Sequence, residues 1–335
     1  MMRLRQVQLQ LLDKMKIINM KKISILIIAI CFGGMLKAQQ LPQITQYMIN
    51  NYAVNPAVAG MYDYYQVKTT IRNQWVGITD APRTTVLSIY GRKSKNVGLG
   101  GLVFNDQAGP TSRIGGSASY TYSFAMTRAV KMSFALSGGF TQFKITKQGL
   151  NIEDKGDPYM QGGDVVRSAP DATFGFNMYG DKWYFGAAIP QLLSTNLNLI
   201  DDDFVRIYNT NISTSDDVES KGKLAQHMYV LGAYKHDFNP FWSIEPSLLL
   251  KTVGAAPLQV DFGMKTTYND KLWFGMDYRN NGEMAALLGY SIQERFMIGY
   301  SYDVLNSDMS GYGSASHEFM IGIRFVAANE SEIMK

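Results

Sequence analysis

Alternation with a period of two residues, repeated along the chain and broken by turn residues, is the feature that most narrows what this sequence can become. In Arg113–Phe124 the even positions are Ile114, Gly116, Ala118, Tyr120, Tyr122 and Phe124; the odd ones are Arg113, Gly115, Ser117, Ser119, Thr121 and Ser123. In Leu258–Tyr268 the set Leu258, Val260, Phe262, Met264 and Tyr268 opposes Gln259, Asp261, Gly263, Lys265 and Thr267. Phe296, Ile298, Tyr300 and Tyr302 alternate with Arg295, Met297, Gly299, Ser301 and Asp303. Successive side chains of a strand point to opposite sides, so each stretch makes a ribbon with one apolar and one polar face. About fourteen such strands follow one another, starting near Tyr64, Thr84, Val97, Arg113, Lys131, Ala172, Trp183, Gln226, Trp242, Leu258, Lys271, Glu283, Arg295 and Ser316.

After residue 40 no apolar stretch reaches the 20 or so residues of a membrane helix. The connections carry a second signal. Tight turns at Gly180-Asp181-Lys182, His236–Pro240, Asn269-Asp270 and Gln293-Glu294 tend to alternate with longer segments at Trp75–Pro82, Thr146–Asp171, Gln191–Ala225 and Leu305–Ser314. Two turns blur the pattern: those after Val253 and Arg279 are short yet fall on the long-segment side. Short periplasmic turns and longer extracellular loops characterise transmembrane barrels. An even strand number would put both termini on the periplasmic rim. A large β-sandwich also alternates, but mid-strand charges such as Asp261 and Lys265 do not suit its dry interior. Fourteen strands closed on themselves leave a lumen too wide to fill with apolar side chains. The polar face then looks into the lumen and the apolar face meets lipid. Trp75, Trp183, Trp242, Trp273, Tyr268 and Tyr290, near strand ends, are expected to form interfacial girdles. The reading is all-β: a transmembrane antiparallel β-barrel of about 14 strands in the outer membrane.

The first residues are set apart from this pattern. Lys21-Lys22, the apolar run Ile23–Leu36 and Lys37-Ala38 have the order of a secretory signal peptide cleaved after Ala38. Met15 or Met20 would each begin a normal leader, so the start is over-long. The expected organisation is a signal peptide over 1–38, an ordered periplasmic or lumenal segment over 39–62, the barrel over 63–326 and a tail over 327–335. Residues 1–38 hold seven of the 32 Lys and Arg and one of the 28 Asp and Glu, so the mature chain keeps 25 basic and 27 acidic residues. That formal charge of −2 leaves no basic patch for nucleic acid. Cys31, the only cysteine, leaves with the leader, which excludes a disulfide.

Three stretches are more than strand filler. Asn51-Tyr52-Ala53-Val54-Asn55-Pro56-Ala57-Val58-Ala59-Gly60 precedes the first strand, and its Asn-Pro and Ala-Gly pairs are turn signals that could tuck into the lumen or cap the periplasmic mouth. Arg72-Asn73-Gln74-Trp75-Val76-Gly77 is followed by Pro82-Arg83-Thr84. Gly299-Tyr300-Ser301-Tyr302-Asp303 is followed by Ser316-His317-Glu318 at the start of the last strand. In this order and spacing they resemble the PorP/SprF family of type IX secretion system membrane proteins. The motif residues are Asn55, Pro56, Gly60, Arg72, Gln74, Trp75, Tyr300, Asp303, His317 and Glu318. Ala315 departs from the family pattern, which has a more compact Gly-Ser-His-Glu. The resemblance implies a non-enzymatic outer-membrane barrel that supports secretion, or cell-surface attachment of an adhesin-like cargo, in gliding or protein-secreting bacteria. It also implies periplasmic ring components as partners and no cofactor.

Other chemistries are weighed on the residues themselves. A barrel hydrolase would need a Ser/His/acid set, and only His317 has an adjacent acid, Glu318, and a nearby serine, Ser316. Consecutive strand residues face opposite ways, so His317 and Glu318 do not readily share a site. Asp201-Asp202-Asp203 and Asp216-Asp217 offer oxygen ligands of the calcium type, but their spacing fits no calcium loop and no metal is assigned. Arg72, Lys251, Asp261, Lys265, Asp277 and Arg324 are expected to face the lumen. There they line a pore, as in a porin or hydrophobic-substrate channel, or form a mixed-sign network that fills it.

Overall fold

The alternating stretches become the staves of one closed wall. In a computed structural model that describes residues 41–147, 163–197, 222–254, 256–304 and 315–325, the strands are β1 (Tyr65–Asn73), β2 (Arg83–Ser94), β3 (Val97–Ala108), β4 (Thr111–Ala125), β5 (Lys131–Ile145), β6 (Val165–Tyr179), β7 (Trp183–Ile189), β8 (His227–Tyr234), β9 (His236–Asp237), β10 (Trp242–Val253), β11 (Gln259–Tyr268), β12 (Leu272–Arg279), β13 (Met284–Ile292), β14 (Phe296–Val304) and β15 (Ala315–Phe325). The expected leader and tail, both acidic runs and most of the three longest loops lie outside the described residues. Neighbours pair antiparallel, and β1 pairs with both β2 and β15, which closes the sheet. The two-residue β9 continues β8 beyond Lys235, so the wall has fourteen staves. The break has a cause. β10 pairs with β9 up to Ile244 and with β8 from Ser247, leaving out Pro246, which has no N–H to give.

Asn269-Asp270 has φ of 53° and 51°, and Gln293-Glu294 has 50° and 57°. Two positive φ values in succession make the hairpin turn whose twist matches its strands. β6 begins at Val165 rather than near Ala172, so Pro170 and Asp171, the end of the expected Thr146–Asp171 segment, lie within it. The Pro170 carbonyl accepts a bond from Thr195 Oγ1 at 3.0 Å. Its main-chain polar edge therefore faces away from β5, and the missing N–H removes nothing from that ladder.

The faces are inverted relative to a water-soluble protein. Ser119, Thr121, Ser123, Asp261, Ser301 and Asp303 are buried inside, while Ile114, Tyr120, Tyr122, Phe262, Ile298 and Tyr302 are exposed on the outer surface. That is the arrangement of a barrel crossing a bilayer. Trp242 packs on Tyr268 with ring centroids 4.6 Å apart, and Tyr290 also faces out. Trp273 does not join that girdle. It is 4% exposed and points inward, because it shares the parity of Asp277 and Arg279 in β12. Trp183 lines a mouth of the lumen, and Trp75 is half-buried in the β1–β2 loop.

Inside the wall runs the segment Leu41–Met61, folded as three short 3-10 turns, Thr45–Met48, Asn51–Ala53 and Pro56–Gly60. Most of it is buried. Gly60 lies by Arg92 and Tyr179, near the short-turn rim, and the Leu41 N–H bonds His227 Nε2 at 3.3 Å, where β8 leaves the long-loop rim. The segment thus traverses the lumen from end to end. The expectation of two termini on one rim falls on residues before Leu41 and after Phe325, outside those described. The even strand count pairs Tyr65 with Phe325 at the short-turn rim, but it governs the wall alone, and Leu41 sits at the opposite mouth.

Candidate functional site

The lumenal segment is held by two sets of contacts, one for each half. The Asn55-Pro56 pair builds the first. Asn55 caps its own turn, its Oδ1 accepting the Ala57 N–H at 3.0 Å, and Pro56 occupies the first position, where no N–H is required. The Asn55 Nδ2 donates to the Phe176 carbonyl at 2.8 Å. Gly175 and Gly186 leave room for that amide, since a Cβ on either would stand 2.5 Å from an Asn55 side-chain atom. Thr121 and Ser133 donate to the carbonyls of Pro56 and Ala57 at 3.1 and 2.9 Å, and Tyr179 donates to Gly60 at 3.0 Å. Gly98 lets the wall approach the Ala59-Gly60 backbone, where a Cβ would lie 2.7 Å away. Tyr52 stacks on Tyr90 at 4.4 Å and shares a 2.7 Å hydrogen bond with Ser119. Burial pushes the Tyr52 phenol up to about 12, so it is protonated at neutral pH.

The second set is a buried charge network near the long-loop mouth. Thr45–Met48 has no capping side chain of its own. Glu318 supplies one from the wall: its carboxylate accepts the N–H groups of Thr45 and Gln46 at 2.8 and 3.0 Å. Arg72 bridges Asp303 at 2.7 Å and Glu318 at 3.2 Å. Arg279 meets Glu283 at 2.7 Å, Asp303 at 3.1 Å and Asp277 at 3.4 Å. The Thr45 hydroxyl accepts from Arg72 and Arg279, each at 2.6 Å, and donates to Asp303 at 2.7 Å. The Tyr47 phenol donates to Asp277 at 3.2 Å; burial first, and then that carboxylate, hold its pKa far above the ordinary value. Charges withdrawn from water persist only when paired and hydrogen-bonded on most sides, as these are.

Among the sequence candidates, Arg72, Asp277, Asp303 and Glu318 come together here. Lys251 and Asp261 form a separate pair at 2.7 Å, and Lys265 pairs with Glu245 at 3.0 Å. Arg324 lies at the other end of the lumen, over the Tyr64 ring at 5.1 Å. Gln74 and Trp75 shape the β1–β2 loop: Gln74 N–H donates to the Pro82 carbonyl at 2.9 Å and Trp75 N–H to Ser316 Oγ at 3.2 Å. Tyr300 and His317 share a 2.7 Å hydrogen bond on the outer face, while Ser316 and Glu318 are buried in the lumen. Ser316, His317 and Glu318 therefore do not assemble a triad. The alternation missed Thr45 and Gln46, which are not on a strand. Arg279 and Glu283 were within reach of it: Arg279 has the inward parity of Asp277, and Glu283 closes the same turn. Among the described residues no three His, Cys, Asp or Glu side chains are grouped to hold a metal.

Several solved barrels are similar in outline. They include the toluene transporter TbuX of Ralstonia pickettii, 11% identical over 81% of this chain and 92% of that one, with a TM-score of 0.46. A FadL homologue of Pseudomonas aeruginosa is 11% identical over 88% and 95%, at 0.46. The monoaromatic hydrocarbon channel CymD is 10% identical over 86% and 94%, at 0.47. No curated protein matches the sequence. Residues 36–323 match the type IX secretion system membrane protein PorP/SprF, and the chain, an outer-membrane β-barrel, belongs to that family.

Proposed function

We propose that this protein serves type IX secretion as a docking barrel rather than as a conduit or an enzyme. It would support secretion or surface attachment of an adhesin-like partner, and gliding motility is one process it would serve. The observation that carries this reading is the filled lumen. Leu41–Met61 is bonded to the wall at both ends, and the charges at its upper half are engaged in holding it. With the lumen occupied, the rims are the surfaces left for partners. By the usual asymmetry of such barrels, the short turns face the periplasm and its ring components, and the long loops face outward toward cargo. Outer-membrane lipid covers the apolar outer face.

Conductance of the purified full chain in planar bilayers tests the reading. Silence is expected; a steady open pore would restore the porin or hydrophobic-channel alternative. Deleting Gln191–Ala225 is expected to leave a heat-modifiable, folded barrel while weakening retention of cargo on the cell. Unchanged secretion and retention would remove that loop as the docking site.

A further inference from the structure

The lumen holds a second polar cluster, at the short-turn mouth, that does not hold the plug by ion pairs. A cavity of about 470 Å³ opens there, and Gln66, Lys68, Lys265 and Arg324 line it with Tyr62 and Tyr64. Gln66 stands opposite Arg324 across the β1–β15 ladder. Lys68 is 3% exposed and donates to neutral acceptors, the Ile49 carbonyl and the Tyr90 hydroxyl. Glu245 already pairs with Lys265, and Arg324 makes no ion pair among the described residues. Gln66 Nε2 and Arg324 Nε are buried donors without an acceptor, in a residue only 1% exposed in the case of Gln66. Asp181, Asp270 and Glu294 also line the cavity, at its rim, where they are exposed at the turn tips. There Lys182 is paired with Asp237, and Lys235 with Asp237 and Asp270.

Lysine and arginine only donate, so the inner part of the pocket, where Arg324 has no carboxylate partner, Lys68 meets only neutral acceptors and amide and guanidinium N–H groups are vacant, lacks an acceptor that carries negative charge. We propose that the short-turn mouth binds a carboxylate borne on an extended polypeptide segment. The cavity is far larger than a small ion needs, and Met48, Met61 and Met297 give it apolar walls for neighbouring side chains. It lies inside the wall, which keeps lipid headgroups from it. The identity of the compartment, the periplasm, rests on the orientation proposed above; the site itself does not.

The test is calorimetric titration of the full chain in detergent with a blocked tetraglutamate peptide and, in parallel, with inorganic phosphate. The peptide is expected to bind and phosphate is not. Arg324→Gln and Lys68→Met are expected to weaken binding tenfold or more, and Lys95→Gln, an exposed lysine outside the cavity, to leave it within twofold. Heat-modifiable migration checks each fold; should Lys68→Met not fold, the half-exposed, unpaired Arg324 decides. No binding, equal affinity in all variants, or phosphate binding as tight as the peptide would each overturn the proposal. Cysteine labelling of the two rims tests orientation separately. If the short turns proved external, the site would stand and its partner would move to the cell surface.

Discussion

Glu318 caps a turn that is 273 residues away in sequence: its two carboxylate oxygens take the N–H groups of Thr45 and Gln46 at 2.8 and 3.0 Å. The first N–H groups of any helical turn need outside acceptors, and here the acceptor comes from the wall. Glu318→Gln keeps the size but offers one acceptor where two N–H groups converge, and it leaves Arg72 with one carboxylate instead of two. Breaking a buried pair from one side costs about 3 kcal/mol. The urea midpoint of the heat-modifiable band is expected to fall accordingly. An unchanged midpoint would mean that the cap does not hold the segment in place.

The Thr45 hydroxyl makes a sharper case, because it sits 2.6 Å from both guanidinium groups. Thr45→Val preserves shape and removes the hydroxyl, leaving buried donors unmatched at a cost of about 1–3 kcal/mol. Thr45→Ser is expected to recover most of that loss. In an Arg279→Met background the Thr45→Val effect is expected to shrink, since contacting residues are not additive. Full additivity of the two substitutions would show that the hydroxyl and guanidinium are not coupled.

Strand parity explains how much of this was readable. Alternation located the wall because each polar position has a lumenal address two residues from the next, and it put Asp303 on the polar face, whereas Glu318 was singled out by the family motif and Arg72 by that motif and as a lumenal charge. It also assigned Trp273 to the wrong place, because proximity to a strand end was weighted above its inward parity with Asp277. The start of β6 was set too late, at Ala172, yet Pro170 fits within the strand because its carbonyl edge faces Thr195 rather than β5. The path of Leu41–Met61 was beyond reach. Irregular turns have no period, and what fixes them are contacts such as Asn55 with Phe176, made far along the chain.

Gly175 and Gly186 flank the Asn55 amide closely enough that a methyl group on either would lie 2.5 Å from it. Gly175→Ala and Gly186→Ala are therefore expected to close the wall but loosen the Asn55–Gly60 turn, with strain of about 1–3 kcal/mol. Limited proteolysis within that turn and intermittent conductance in planar bilayers are the readouts. Gly101→Ala and Gly232→Ala serve as controls, because a Cβ at either meets its nearest neighbour at 3.6 Å, an ordinary contact. Equal behaviour of the two pairs would show that Asn55 does not need the space.

Leu41 and Phe325 lie at opposite mouths of the barrel, and this makes orientation testable with one reagent. With Cys31 replaced by Ser the chain has no cysteine, so single cysteines can report each rim. Asp80→Cys lies in the β1–β2 loop on the long-loop side, and Asp270→Cys in the β11–β12 hairpin on the short-turn side. If the long loops face outward, a membrane-impermeant maleimide labels Asp80→Cys in intact cells and Asp270→Cys only after the outer membrane is permeabilised. Leu41→Cys is then expected to label with Asp80→Cys, because its N–H reaches His227 at the same rim. Labelling of Leu41→Cys together with Asp270→Cys would mean that the segment enters the lumen from the short-turn side. The charge network around Thr45 would then have to sit elsewhere, since the chain between Thr45 and Leu41 is too short to cross the barrel, spanning at most about 14 Å when fully extended.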